Sequence, residues 1–137
     1  MLLVIIGSAG MMKAQCGDEL MKQALGAMGN YQYIKDFEAK LPAATAQTGQ
    51  KFSLVLNSRT VYQINVANGA SNAEQVVIEI MDGDKQIGSN LYQGKVLDKF
   101  GFSCMKTGAY KLHVYTQNGS EACARLVLSL VKQLPAQ

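Results

Sequence analysis

Three cysteines and one histidine are the residues of this sequence whose chemistry suits a nucleophile or a soft metal ligand. Cys104, His113 and Cys123 fall within one short stretch, and Cys16 lies near the N-terminus. A cysteine becomes a catalytic nucleophile when a histidine lies within hydrogen-bonding reach of its thiol. Zinc sites gather cysteine and histidine at close, regular spacing. Whether either chemistry is available depends on the elements that carry these four residues.

The strand that carries the histidine alternates between apolar and polar residues in "AYKLHVY". His113 falls on the polar face, between a lysine and a tyrosine that share it. Cys104 ends the preceding predicted strand and faces the other way by the same alternation. The sequence therefore predicts an exposed strand histidine, no Cys–His catalytic pair and no zinc site.

The spacing of the cysteines bears on disulfide formation. If these strands form a hairpin meander, Cys104 and Cys123 lie at opposite ends of the strand between them, roughly 20 Å apart. A disulfide needs Cα atoms within about 7 Å, so these two residues are not expected to pair. Cys16 precedes a predicted helix and is free to reach either. We expect one disulfide, from Cys16 to Cys104 or to Cys123, with the third thiol unpaired.

Acidic residues offer a second kind of chemistry. Asp82 and Asp84 flank a glycine and are candidate calcium ligands, because calcium binds carboxylate oxygens. The further acidic positions of an EF-hand are absent, and Asp-Gly is a strong hairpin signal, so a turn is the main prediction. Asn118-Gly119 is predicted to be a hairpin turn for the same reason. A carboxylate-based enzyme would have to use residues such as Asp36, Glu38, Glu79 or Asp98.

The N-terminal segment "MLLVIIGSAGMMKA" is apolar through Met12 and is followed by polar residues. It is too short to span a bilayer as a helix and matches the apolar region of a secretory signal. Residues 1–14 are therefore predicted to be a signal peptide with a truncated basic region, which places the exported protein in the periplasm or outside the cell. The alternatives are a buried N-terminal strand and a lipid anchor on Cys16.

A helix over about residues 18–29 follows. Leu20, Met21, Ala24, Leu25 and Met28 fall on one helical face. Asp18 is the expected N-cap, and Gly29-Asn30 is a typical helix end. The methionine-rich face is predicted to pack on the core, and the alternative is that it lines a site for a small apolar ligand.

The remainder of residues 15–137 is predicted to form one antiparallel β-sandwich domain. About eight short strands alternate in polarity, with turn signals every 8–12 residues. The fold class is therefore mainly β, jelly-roll-like, with one N-terminal helix. The net charge is +3, and the basic residues are scattered rather than gathered into the patch that a nucleic-acid binder shows.

The runs "VVIEIMDGD", "FGFSCMKTGAYKLHV" and "ACARLVLSLV" resemble the C-terminal half of bacterial pre-peptidase C-terminal and GOLD-like domains. The whole mature chain is similar to a group of small exported proteins of Bacteroidetes-type bacteria. The resemblance implies an accessory or binding module, and it assigns no catalytic, cofactor or metal residue. The acidic segment of the calcium-dependent relatives is not evident here.

The sequence thus predicts an exported, non-enzymatic module that needs no cofactor. Its partner would be a protein or a glycan, met at the cell surface or in the periplasm, with no nucleic acid and no membrane span after signal removal. The alternatives are a carrier of a small apolar ligand, held between the helix and the sheet, and a carboxylate-based secreted enzyme.

Overall fold

The structure, a computed structural model, describes residues 16–135. The described residues form one helix and ten strands. In chain order these are α1 (Asp18–Met28), β1 (Gln32–Leu41), β2 (Gln50–Leu56), β3 (Thr60–Asn68), β4 (Val77–Asp82), β5 (Lys85–Ser89), β6 (Leu91–Tyr92), β7 (Lys95–Val96), β8 (Lys99–Cys104), β9 (Gly108–Tyr115) and β10 (Ala122–Gln133).

Eight of the strands form two antiparallel four-stranded sheets. The first sheet has the order β1-β10-β3-β8, the second has the order β2-β9-β4-β5, and β6 and β7 form a small separate ribbon. β1 pairs with β10, β2 with β9, β3 with β8 and β4 with β5, as if one long hairpin were wound into two layers. This nested pairing is that of a jelly roll. It confirms the prediction of a mainly β, antiparallel, jelly-roll-like sandwich with one helix.

The core lies between the two sheets and is built from the inward residues of each alternating strand. Phe37, Ile64 and Phe102 enter it from the first sheet, and Leu54 and Leu112 enter it from the second. Each is at most 6 % exposed. Cys104 of β8 enters the same core, and His113 lies on the opposite face of β9, as alternation predicted.

The predicted hairpin meander is wrong. β8 and β10 belong to the first sheet and β9 belongs to the second, so the chain crosses from one sheet to the other at both connections. The loop around Asn118-Gly119 is therefore a crossover and not a hairpin turn. Alternation could not reveal this, because both sheets turn their apolar faces to the same core. The turn at Gly83-Asp84 does close a hairpin, between β4 and β5, with Gly83 at φ 60°.

The helix α1 covers the outer face of the first sheet. Leu20 and Ala24 pack on Ala67 of β3 and Val127 of β10, and all four are buried. The N-cap is Gly17 rather than the predicted Asp18. Asp18 lies in the first turn, where its negative charge interacts favourably with the helix dipole. Gly29 ends the helix at φ 71°, as predicted. Among residues 16–135, no helix has the length and apolar character needed to cross a membrane.

The connections fall at two ends of the sandwich. The turn end carries the short connections at residues 57–59, 83–84 and 105–107. The loop end carries the longer connections at residues 42–49, 69–76, 90–98 and 116–121. The two names are used in this sense below.

Candidate functional site

A groove of about 470 Å³ opens at the loop end. Its walls are residues 40–42 where β1 ends, residues 71–73 of the loop after β3, and residues 120–123 where β10 begins. Lys40 and Glu121 place opposite charges at its rim, and Leu41, Pro42 and Ala122 supply apolar surface. A concave site of this size and mixed lining is typical of ligand and partner recognition.

The side chain of Asn72 attaches the loop at 69–76 to the start of β10. Its Nδ2 donates a hydrogen bond of 2.8 Å to the Cys123 carbonyl, and its Oδ1 accepts one of 3.1 Å from the Cys123 amide. The Gly69 amide donates to the same carbonyl at 2.9 Å. A Cβ at Gly69 would lie 2.9 Å from the Cys123 Sγ and 3.1 Å from the Asn72 Oδ1, so a side chain there would displace these two groups. One wall of the groove is thereby fixed to the sheet.

The carboxylate of Glu74 joins two of the loops at this end. It accepts hydrogen bonds from the backbone amides of Asn118 (3.1 Å) and Ser120 (3.2 Å). Partial burial alone would raise the pKa of Glu74, but the Asn118 and Ser120 donors outweigh it and lower the pKa below its ordinary value of 4.5. The loop at 116–121 is held in place by this acceptor.

Asn90 fastens the connection at residues 90–98 of the loop end. Its side chain is fully buried and accepts from the Ile78 amide at 2.7 Å. Its Nδ2 donates to the carbonyls of Val76 (3.0 Å) and Leu97 (3.1 Å). The segment that contains β6 and β7 is thus attached to β4 through the Asn90 side chain, in addition to a backbone bond of 3.3 Å from the Asn90 amide to the Ile78 carbonyl.

His113 lies on the outer face of the second sheet, the polar face of the strand as predicted. It is not a freely exposed histidine, because its side chain is only 19 % exposed. Its Nε2 donates to the Thr48 carbonyl at 2.7 Å, and its Nδ1 lies 3.3 Å from Glu79 Oε1. The ring also stacks on Tyr115 with centroids 5.0 Å apart. The histidine fastens the β1–β2 connection to the sheet, a role that strand alternation alone did not indicate.

The three cysteines are free thiols and lie in two places. Cys104 is at the turn end, where its Sγ lies 3.4 Å from the Tyr110 hydroxyl. Cys16 and Cys123 are neighbours at the loop end, where the helix begins over β10. Burial first, and then the neighbouring Cys123 thiol, raises the pKa of Cys16. Of the two predicted disulfide partners of Cys16, only Cys123 lies beside it.

Burial of Cys16 also bears on the alternative of a lipid anchor. The residue is 2 % exposed and lies against the carbonyls of Ala39 and Ala124. An acyl-bearing cysteine would have to leave this position. The signal peptide predicted at residues 1–14 lies outside the described residues.

The carboxylates considered for an enzyme do not meet in the groove. Asp36 and Glu38 lie near one another and form ion pairs with Arg125 at 3.6 and 3.9 Å. Glu79 is on the other sheet beside the histidine, and Asp98 is exposed in the loop before β8. The structure therefore brings two of the four together, around a cation rather than in a cleft.

The calcium candidates Asp82 and Asp84 lie at the β4–β5 hairpin of the turn end. Asp82 is 3.8 Å from Lys106 Nζ, and Asp84 is exposed. Within residues 16–135, no three histidine, cysteine or acidic side chains gather in a way that could hold a metal ion. Calcium binding at this turn stays a prediction.

The methionine-rich face of the helix packs on the sheet. Leu20 and Ala24 fill the interface, with Met21 and Met28 beside them. Leu25, which the helical spacing also assigned to this face, is 36 % exposed. The groove lies beyond this interface, so it is not the helix-lined site expected of an apolar-ligand carrier.

Comparisons with known proteins place the fold. No protein-family model and no curated protein sequence matches the chain, so the resemblance to pre-peptidase C-terminal and GOLD-like domains gains no support beyond a β-rich fold. The chain is similar in structure to PliG of Aeromonas hydrophila, a periplasmic lysozyme inhibitor of g-type lysozyme. That match has a TM-score of 0.51 and 12 % identity, and covers 74 % of this chain and 89 % of that one. A de novo designed double-stranded β-helix matches with a TM-score of 0.37 and 9 % identity, over 72 % of this chain and all of the other. This chain therefore has a small β-rich fold similar to that of the periplasmic inhibitor.

Proposed function

We propose that this protein is an exported, non-enzymatic module that binds a protein partner through the groove at the loop end. The observation that carries the proposal is the way in which the groove is built. Asn72 and Glu74 fasten its loops to the start of β10 and to each other through side-chain-to-backbone hydrogen bonds. A site that is already ordered loses little conformational entropy on binding, which is the advantage of recognition loops on a rigid scaffold.

The lining of the groove favours recognition over catalysis. It holds one carboxylate, Glu121, whereas glycosidase-type hydrolysis needs a pair. It holds one thiol, Cys123, and His113 lies on the opposite sheet, so the thiol lacks the base that a cysteine nucleophile requires. Apolar surface with a charged rim is the composition of a protein–protein contact.

A protein partner is favoured over a glycan for two reasons. None of the residues that line the groove, all within the described part of the chain, is aromatic, and sugar rings bind largely by stacking on aromatic side chains. The structural neighbour PliG is an inhibitor of another protein. A g-type lysozyme is therefore the first purified partner to test.

Export is supported by an N-terminal segment that is apolar through Met12 and ends at Ala14, and by the polar residues that follow it. The intact mass of the exported protein tests this part of the proposal. A chain that begins at Gln15 supports it, and a chain recovered from the cytoplasm with residues 1–14 retained contradicts it.

A pair of tryptophan substitutions tests the groove. Ala73→Trp places a large ring in the groove, and Val55→Trp places the same ring on the second sheet, at a position that is 73 % exposed. A photo-crosslinking residue at Ser71 first captures the partner in the exported protein. The purified partner is then titrated against the parent and both variants.

We expect Ala73→Trp to weaken binding at least tenfold and Val55→Trp to leave it unchanged. Equal affinity for all three proteins would contradict the groove as the binding site. Binding of an oligosaccharide that Ala73→Trp removes would replace the protein partner with a glycan.

A further inference from the structure

Two thiols from distant parts of the sequence meet beside the groove. Cys16 is the residue before the N-cap of α1, and Cys123 is the second residue of β10. The Cys16 Sγ lies 4.0 Å from the carbonyl oxygen of Ala124, the neighbour of Cys123, and the side chains of the two cysteines pack in one small cluster. The Cys16 Sγ also lies 3.6 Å from the carbonyl oxygen of Ala39, and the next residue of β1, Lys40, is the register partner of Cys123.

We infer that Cys16 and Cys123 form a disulfide when the protein meets a thiol oxidant, and that this bond joins the start of the helix to the wall of the groove. The inference concerns these two residues alone and does not depend on the identity of a partner. Export would supply the oxidising surroundings in which such a bond persists.

The environments of the two thiols set the order of the steps. Cys123 is partly exposed and lines the groove, whereas Cys16 is 2 % exposed. An incoming disulfide, such as glutathione disulfide, therefore meets Cys123 first. The Cys123 thiolate attacks one sulfur of the oxidant, the oxidant's S–S bond breaks, and one glutathione thiolate leaves.

The second step closes the protein disulfide. Burial keeps Cys16 protonated until the mixed disulfide between Cys123 and glutathione has formed next to it. The Cys16 thiol then loses its proton and attacks the Cys123 sulfur, and the second glutathione leaves. Two protein thiols are oxidised, one glutathione disulfide is reduced to two thiols, and the two protons pass to the departing thiolates.

Cys104 is excluded from this bond by its place in the fold. It pairs in register with Thr60, at the first residue of β3, whereas Cys123 lies beside Gly69, just past the other end of that strand. A full strand of nine residues spans about 30 Å, far beyond the reach of a disulfide. Cys104 is therefore the thiol that stays unpaired.

The experiment uses the full chain, oxidised with glutathione disulfide or reduced with dithiothreitol. Free thiols are alkylated after unfolding, and peptides are mapped without reduction. We expect one cross-linked pair, Cys16 with Cys123, and one alkylated residue, Cys104. We also expect the midpoint of thermal unfolding to be higher in the oxidised protein by roughly 10 °C, since the bond closes a loop of about 100 residues.

Three variants provide the controls. Cys104→Ser should keep the redox-dependent shift in the midpoint, whereas Cys16→Ser and Cys123→Ser should lose it. A cross-link that includes Cys104, or three alkylated cysteines after oxidation, would overturn the inference. Mapping of the parent protein remains decisive if a serine variant fails to fold. Neither result would alter the expected difference between Ala73→Trp and Val55→Trp in partner binding.

Discussion

The two ends of the sandwich are made from the same eight strands, but their connections are held by different means. At the turn end, Arg59 at φ 54° and Gly83 at φ 60° allow short reversals. Side chains there mostly bind backbone groups close by in the sequence, as the Tyr110 hydroxyl does at the Lys106 carbonyl. One side-chain bond, from the Ser58 amide to the Thr107 hydroxyl at 2.8 Å, joins two of these turns. Short turns of this kind leave little concave surface.

At the loop end, the connections are longer, and polar side chains hold them. Asn72, Glu74, Asn90 and His113 each bind backbone groups of a segment distant in sequence. The loops can therefore stand away from the strands and still be ordered, which is how the walls of the groove arise. A shaped surface on this fold therefore depends on a few polar anchors rather than on the core.

The largest loss of stability is expected from a substitution in the core, which both ends share. Phe102 is 6 % exposed, and its ring lies 5.7 Å from that of Tyr62. Phe102→Ala removes a buried aromatic side chain and should lower the free energy of unfolding by about 3–5 kcal/mol. Urea denaturation measures the loss. Tyr92→Ala is the matched control, because that ring is 62 % exposed, and a similar loss in both variants would contradict the assignment of faces.

Asn90→Ala should destabilise the loop end without affecting the turn end. The substitution leaves the buried Ile78 amide and the Val76 carbonyl without their partner, which costs about 2–3 kcal/mol. Hydrogen exchange should show lost protection at β4 and in residues 90–98, with the turn end unchanged. Asn118→Ala, an exposed asparagine of the same end, is the control. A uniform loss of protection over both ends would argue against separate anchoring.

Much of the scaffold could be predicted from the sequence, and Phe102 shows why. Each strand carries its apolar residues on one side, and a period of two identifies the buried face without knowledge of its neighbours. The helix was recognisable for a similar reason, since the spacing of Leu20 and Ala24 is that of a helical face. Alternation does not determine which sheet a strand joins. The predicted β8–β9–β10 meander was wrong because it placed all three strands in one sheet.

The groove could not be predicted. Asn72, Glu74 and Asn90 are ordinary loop residues by type, and their roles depend on backbone groups up to 51 positions away in the chain. The position of the helix on the sheet likewise decides that Cys123, and not Cys104, lies beside Cys16. Such placements follow from tertiary packing, which has no local period in the sequence.

His113→Ala should have a smaller effect than Asn90→Ala, and it tests an anchor of the loop end on the second sheet. The substitution removes the donor to the Thr48 carbonyl and the stacking on Tyr115. A net loss of about 1 kcal/mol is expected, because the freed carbonyl can bind water. Lys111→Ala is the control on the same strand face, since its bond to Ser53 is exposed. Equal stability of the two variants would mean that His113 does not anchor the β1–β2 connection.

Glu74→Gln should have the smallest effect, and the effect should depend on pH because it acts on an anchor found at the loop end. The pKa of Glu74 is lower in the folded state than its ordinary value of 4.5, so its stabilisation is complete above that value and is lost as the pH falls through the lowered pKa. Solvent screening limits the difference from the parent to a few tenths of a kcal/mol, on the order of an exposed ion pair. We expect a difference in urea denaturation at pH 7 that shrinks as the pH is lowered below 4.5, together with lost amide protection at Asn118 and Ser120 in the variant. Glu121→Gln, an exposed residue of the same loop, should show neither effect. A difference that stays constant from pH 7 to pH 3 would mean that the carboxylate charge does not hold the loop.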